Sequence, residues 1–325
     1  MAEFRGPTAT EATPGVVHPE VSVILVTYDN ETTIDACLDS LAVHTACPYE
    51  AVVVDNSPNE ATWARITALC HERPGLPIHA IRPGHNLGFA AGCNVGARHA
   101  RGDFLLFLNP DTALDTDIAA IFRSFWRSFP RAGLLGPRIC DANGRTVSTC
   151  RNLPNLWRIF LDAIGLDRLV GAYRLFHFDH ASPRQVPQLI GACLFTSRRL
   201  FEDVRGFDER FFVYFEEVDL CKRLAESGHE LWFVPEASVS HRAGTSCERE
   251  ASAAVMIAQL RRSRTLYFRK HFQAATVFGV ALVNTLEGVA KAAVFTALYL
   301  GGGGRRFREK ARGFWKVTTC FGFWH

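Results

Sequence analysis

Asp103-Phe104-Leu105-Leu106-Phe107-Leu108-Asn109-Pro110-Asp111 is the stretch on which the fold turns. Its apolar residues run unbroken from Phe104 to Leu108 and stop at a turn signal. So short a run, bounded in this way, reads as a strand buried on both faces. Pro110 has no amide hydrogen for a sheet ladder, so the strand is expected to end there. Asp111 then stands just past the carboxyl end of a central strand, where open α/β sheets bind ligands. A carboxylate in that place suits a hard divalent cation carrying phosphate oxygens. It equally suits the cap of a helix starting near Thr112.

Toward the N-terminus, Val21 to Thr27 is β-branched and apolar, a first buried strand, followed by the turn residues Tyr28-Asp29-Asn30. Ile34, Cys37, Leu38 and Leu41 recur at helical spacing within residues 33–43. Residues 50–54 make a second strand ended by Asp55-Asn56-Ser57-Pro58, residues 60–70 an amphipathic helix and residues 76–82 a third strand. The small-residue stretch from Asn86 to Gly96 turns into a further helix. Strands alternating with helices at this spacing predict βαβ units, right-handed crossovers and a parallel sheet. Thr27, Asp55 and the Asn109-Pro110-Asp111 turn then share one edge of that sheet, around a glycine-rich turn, as in a nucleotide site. The turn has neither Gly-x-Gly-x-x-Gly nor Gly-Lys-Ser/Thr spacing, which speaks against a dinucleotide fold and an NTPase phosphate loop.

Toward the C-terminus the pattern predicts a helix over 115–128, a strand over 134–139 and a hairpin turn at Asp141-Ala142-Asn143-Gly144. Residues 145–187 read as a mobile excursion over the site, with helical spacing in 156–175 broken by Gly165 and Gly171. A strand over 189–195 carries Gly191, where something approaches the backbone closely, and a short helix covers 197–203. In the segment from Gly206 to Leu220, aromatic residues surround Glu216, Glu217 and Asp219. A helix over 218–227 places these carboxylates at its N-terminus, where the dipole favours negative charge. They read as a capping cluster or as a general base in a partly apolar pocket. A strand over 230–234 is expected to end at Pro235, leaving His241 in a polar turn before Gly244, as a structural histidine or a metal ligand.

The length of 325 residues allows one large α/β domain with an appendage, and 48% hydrophobic against 21% charged residues excludes global disorder. A net charge of +3 is too small to argue for nucleic acid. The ten cysteines include no Cys-x-x-Cys pair and no apolar leader precedes them, so they read as reduced cytosolic thiols packed as small hydrophobes. Residues 272–300 form an apolar segment between Arg261, Arg262, Arg264, Arg269 and Lys270 on one side and Arg305, Arg306, Arg308, Lys310 and Arg312 on the other. Asn284, Glu287 and Lys291 draw one polar stripe along it, which favours lying in a membrane interface over packing in a soluble hairpin or spanning a bilayer.

Residues 21–28, 52–57, 86–96, 104–111, 189–195, 206–220 and 234–241 together resemble the inverting family-two glycosyltransferases of the GT-A fold. Within them the chain is most similar to the rhamnosyltransferase-like enzymes of bacterial cell-surface polysaccharide assembly. The resemblance implies an α/β, Rossmann-like, mostly parallel sheet flanked by helices, with a C-terminal helical, membrane-associating appendage. Its bounds would be a flexible tail at 1–19, a catalytic domain at 20–245 and a basic, apolar region at 246–325. The domain would divide into a nucleotide-sugar half at 20–112 and an acceptor half at 113–245.

The implied activity is metal-dependent transfer of a sugar, rhamnose among the candidates, from a dTDP- or UDP-sugar to a hydroxyl of a glycan or polyprenyl-linked acceptor. The place would be the cytoplasmic face of the cell membrane, with Mg²⁺ or Mn²⁺ as cofactor and no nucleic acid partner. Position by position, Thr27, Asp55, Asn86 and Gly88 would line the donor pocket. Asn109-Pro110-Asp111 occupies the family's Asp-x-Asp motif, so Asp111 would be the principal carboxylate on the metal, with Asn109 a neutral partner and His241 a further ligand. Glu217 stands where the family carries the aspartate of a Glu-Asp pair serving as base, with Glu216 beside it. Gly191, Ala192 and Tyr214 would lie on the acceptor side. The alternatives are a catalytically inactive sugar-nucleotide-binding scaffold, which Asn109 and Glu217 keep open, and a nucleotidyltransferase, which would want a basic phosphate loop in place of Tyr28-Asp29-Asn30.

Overall fold

The computed structural model describes residues 18–175, 178–241, 253–302 and 304–319. β1 (Val21–Thr27) is buried along its whole length, and α1 (Ile34–His44) contributes Ile34, Cys37, Leu38 and Leu41 to the core beside it, the four positions whose spacing predicts the helix. β2 (Tyr49–Asp55), α2 (Glu60–Glu72), β3 (Ile78–Ile81), α3 (Phe89–His99) and β4 (Phe104–Leu108) follow in βαβ order. β1 pairs in parallel with β2 on one side and β4 on the other, and β3 extends the sheet beyond β2. The glycines of α3 permit close packing on this sheet. A Cβ at Gly96 would lie 2.5 Å from the Cγ2 of Ile24, and one at Gly92 would lie 2.9 Å from the Cγ1 of Val26.

Past β4 the structure departs from expectation. No helix starts near Thr112; Thr112–Leu114 is a short strand, β5, and α4 (Ile118–Ser128) begins only after Asp117, whose carboxylate caps it. The reason is tertiary: β5 pairs antiparallel with a distant strand, placing Thr112 opposite His241. β6 (Ala132–Cys140) leads into the predicted turn, where the Asp141 carboxylate accepts from the amides of Asn143 and Arg145. The excursion contains regular structure. It holds α5 (Leu156–Ala163) and α6 (Asp167–Val170), each followed by a glycine with left-handed φ, Gly165 at +80° and Gly171 at +62°.

β7 (Arg184–Gln185), β8 (Cys193–Ser197), α7 (Arg198–Asp203), α8 (Glu216–Glu226) and β9 (Glu230–His241) complete the region built on the sheet. β8 starts later than predicted, and it runs antiparallel between β4 and β6. β9 does not end at Pro235. Its register on β6 jumps from Val234 opposite Pro137 to Ser238 opposite Arg138, and Pro235 falls in that bulge, where no ladder amide is needed. His241 is therefore the last residue of a strand and not part of a turn. Gly244, and residues 1–17 of the expected tail, lie outside the described residues. The sheet runs β3-β2-β1-β4-β8-β6-β9-β5, with β7 also on β9.

α9 (Ala253–His271), α10 (Ala274–Leu300) and α11 (Arg305–Thr319) form the C-terminal layer. The polar stripe expected to face headgroups is turned inward. Arg261 and Arg264 of α9 bond Asn284, Arg261 meets Glu287 at 2.6 Å, and Lys291 meets Glu287 at 2.5 Å. Burial favours the neutral acid, but the charges of Arg261, Lys291 and Arg264 outweigh it and hold the Glu287 carboxyl below its ordinary range. Leu156 of α5 packs on Gly279 of α10, and Ile159 shares a core cluster with Val280. Among the described residues α10 alone is long and apolar enough to cross a membrane.

Candidate active site

The donor-side residues meet at the carboxyl ends of β1 and β2. Thr27 is in register with Asp55 and donates its hydroxyl to Asp55 Oδ1 at 2.9 Å. The amide and hydroxyl of Ser57 donate to the same oxygen at 3.1 and 2.6 Å. Three donors fix this carboxylate through one oxygen, while Oδ2 is buried without a hydrogen bond and has Arg82 Nε 3.8 Å away. The carbonyl of Gly88 accepts from Asn56 Nδ2 at 2.9 Å, and its amide donates to Asn86 Oδ1 at 2.9 Å. Asn86 itself is exposed. Gly88 adopts φ +83°, and a Cβ there would sit 2.3 Å from the carbonyl oxygen of Phe212. With the Phe89 amide donating to that carbonyl at 2.7 Å, the glycine turn clamps the first half of the chain to the loop that carries the acidic cluster.

The pairing of β5 with β9 brings Asp111 and His241 together across 130 residues of sequence separation. His241 Nε2 lies 3.2 Å from Asp111 Oδ1, yet the two are not aligned as a hydrogen bond, and Nε2 is buried without a partner. Asp111 also lines a small pocket with Thr33, Ala36, Thr112 and Ala113 at the start of α1. Asn109 is tied through its backbone: its amide donates to the Ala192 carbonyl at 2.9 Å, and its own carbonyl accepts from the Thr112 hydroxyl at 2.6 Å. Among the described residues no group of three or more His, Cys, Asp or Glu is placed to hold a metal ion. A carboxylate beside an orphaned imidazole nitrogen still fits Mg²⁺ or Mn²⁺, ions that take few protein ligands when substrate phosphates supply the rest.

The acidic cluster follows two consecutive residues in the left-handed region, Tyr214 at φ +66° and Phe215 at φ +70°. Neither is glycine, and each such residue costs on the order of 1–3 kcal/mol, so the surrounding packing must hold this turn. Phe215, at the N-cap position, makes no side-chain cap, and backbone amides of the helix start act on the Glu217 carboxylate instead. Asp219 is held at 2.7 Å by Arg223, Lys270 and His271. Glu216 and Glu217 are different: each keeps a buried Oε2 with no partner. Burial, reinforced by the charge of Glu217, pushes the Glu216 carboxyl well above its ordinary range. Burial also raises Glu217, against the pull of the helix-start amides and of Arg151.

Glu217 rests against Gly191, where a Cβ would lie 3.6 Å from its own Cβ. Ala192, next along, links this segment to Asn109, while Tyr214 belongs to the left-handed turn just before the pair. Arg151 is the site residue that sequence reasoning missed. Its amide donates to the Gln188 carbonyl at 3.2 Å, its guanidinium lies 5.9 Å from the ring centre of Tyr173, and its charge favours the ionised form of Glu217. The stretch around it has no periodicity that would have singled it out.

Comparison with known proteins shows the family and the fold. The sequence pattern of "Glycosyl transferase family 2" matches residues 22–148. An N-acetylglucosaminyl-diphospho-decaprenol L-rhamnosyltransferase of Mycobacterium tuberculosis is 30% identical over 252 residues, covering 71% of this chain and 78% of that protein. The rhamnosyltransferase WbbL of Escherichia coli is 25% identical over 235 residues, covering 69% and 83%. Among solved structures, the mannosyltransferase PcManGT from Pyrobaculum calidifontis, in complex with GDP-Man and Mn²⁺, superposes with a TM-score of 0.55 at 17% identity, covering 97% of this chain and 87% of that one. Sheet order, polar strand ends and relatives converge, and the chain belongs to glycosyl transferase family 2, as a glycosyltransferase of the GT-A fold.

Proposed function

We propose that the protein transfers a sugar, rhamnose first among the candidates, from a dTDP- or UDP-sugar to a hydroxyl of a glycan or lipid-linked acceptor, inverting the anomeric centre in one displacement. The observation that carries this reading is the pairing of two unlike polar sites at one end of the sheet. On one side Asp111 and His241 face each other with an unsatisfied imidazole nitrogen. On the other, Glu217 keeps an unpartnered carboxylate oxygen behind a strained turn.

Asp55, held through one oxygen, offers the other to the donor's base or ribose, and Thr27 fixes that orientation. Asp111 and His241 would hold Mg²⁺ or Mn²⁺, which supplies neutralisation of the diphosphate leaving group. Asn109 adds an uncharged oxygen at most. Glu217 takes the proton of the acceptor hydroxyl as it attacks, and its raised pKa keeps the carboxylate basic enough for that transfer. Burial and the charge of Glu217 both raise the Glu216 carboxyl, which favours its neutral form beside an ionised Glu217. Gly191, Ala192 and Tyr214 shape the acceptor side. The relative that acts on a decaprenol-linked sugar favours an acceptor of that class and a peripheral place on the cytoplasmic face of the membrane.

The test is sugar release or transfer from a panel of dTDP-, UDP- and GDP-sugars, with Mn²⁺ and with a chelator. Turnover of a dTDP- or UDP-sugar that the chelator abolishes supports the reading. Absence of turnover from every donor, or turnover indifferent to the chelator, overturns it.

A further inference from the structure

The apolar surface that the fold leaves uncovered does not coincide with the C-terminal helix alone. On the excursion, Trp157 of α5 and the tip from Ile164 to Val170 stand out from the body, with Leu169 76% exposed. On α10, Phe278, Leu282 and Leu286 remain exposed, Phe278 to 71%. α5 is bound to α10 through Leu156 on Gly279, so the two exposed faces belong to one packed unit. That unit lies one layer of side chains behind the acidic cluster: Phe211, Phe215 and Val218 share a core cluster with Ile159 and Val280.

The charge of the tip bears on what could cover it. Residues 164–170 contain one acid and one base. Asp167 is 1% exposed and turned inward, accepting from the amides of Tyr173 at 2.7 Å and Arg174 at 2.9 Å. Arg168 is exposed. The tip therefore offers solvent apolar side chains and a single positive charge. A second copy of the chain seated on it by a two-fold axis would bring Arg168 towards Arg168 with no acid of the tip to compensate. An anionic bilayer meets both requirements, since it takes apolar side chains into its interface and attracts cations at its surface. Spanning by α10 conflicts with its inward network of Arg261, Arg264, Glu287 and Lys291, which needs α9 beside it.

We infer that the α5–α6 tip and the outer face of α10 together dock the enzyme on an anionic lipid surface, with the tip inserted and Arg168 among the headgroups. This deepens the lipid-linked acceptor reading and rests on it for its purpose, though vesicle binding is measured without any acceptor. The experiment is co-sedimentation of the full chain with phosphatidylcholine vesicles, with and without phosphatidylglycerol. It is repeated for the double variant Leu169→Ser, Val170→Ser and for Arg168→Glu, with thermal unfolding as the control for folding. The wild type should bind the anionic vesicles at least tenfold more tightly than the neutral ones. The serine variant should lose at least tenfold on anionic vesicles, and Arg168→Glu should lose the preference for them. Equal binding by all three proteins would overturn the inference. So would a wild type that stays in the supernatant, or a dimer that the serine substitutions dissolve without any vesicle binding. Transfer to a water-soluble acceptor, assayed on the same preparations, separates a failed docking surface from a failed activity.

Discussion

As the proposed base, Glu217 must be ionised to act, and its burial resists ionisation. Burial raises its pKa, so kcat/KM should fall with falling pH through a value above the ordinary glutamate range of about 4.3. Arg151 favours the charged form. Arg151→Gln should therefore move this acid limb to higher pH, and Arg151→Lys should return most of the shift; a pH–rate profile unmoved by Arg151→Gln would remove Arg151 from the site. Asp111→Ala deletes the carboxylate of the proposed cation site, and donor binding measured by calorimetry should lose at least about tenfold of its Mn²⁺ enhancement. Asp111 and Glu217 stood out in the sequence because one ends an apolar run and the other lies at an aromatic-rich helix start, whereas His241 was read into a turn and is the last residue of β9. Their mutual distances were not legible, since Asp111 meets His241 only through strand pairing. Arg151 was invisible because its neighbours follow no period.

Secondary elements carry the next group of expectations. Gly88→Ala places a methyl against the Phe212 carbonyl in a backbone conformation that favours glycine, so it should destabilise the protein by roughly 1–3 kcal/mol and loosen the acidic loop. Urea unfolding measures the first effect, and a rise in KM with a fall in kcat measures the second. Glu287→Ala would strand two buried arginines, which typically costs about 3–5 kcal/mol. The pH dependence of that contribution has a definite sign. The folded-state pKa of Glu287 is depressed, so its stabilisation is present above the unfolded value and fades as pH falls through the folded one. The strands and helices before Asp111 were readable because both faces of β1, β2 and β4 are buried and the helices between them keep one apolar face. β5 was not, because three residues carry no period; nor was the passage of β9 through Pro235, because a bulge depends on the partner strand. The stripe on α10 was read correctly as one face, but its partner was misassigned, since α9 supplies the opposing arginines only in three dimensions.

On the scale of the whole molecule, one sheet brings two halves to a single edge. The parallel half delivers Thr27, Asp55 and Asp111, and the mixed half delivers His241 and the Gly191 support for Glu217. The C-terminal layer is tied into this centre rather than appended to it. Lys270 and His271 at the end of α9 clasp Asp219, two residues after Glu217, and Lys270 also meets Asp208 at 2.7 Å. The order of elements and the class of fold were readable along the chain. The joint between α8 and α9 was not, because it depends on burial of a carboxylate that the sequence offers as one of three. NMR of the transfer product, run for the wild type beside Glu217→Gln with donor binding checked in both, is the most direct trial of a single displacement driven by that base. The wild type should give the inverted anomer, and Glu217→Gln should bind the donor normally while turnover falls by about 10²–10⁴-fold. A retained anomer, or full turnover by Glu217→Gln, would contradict it.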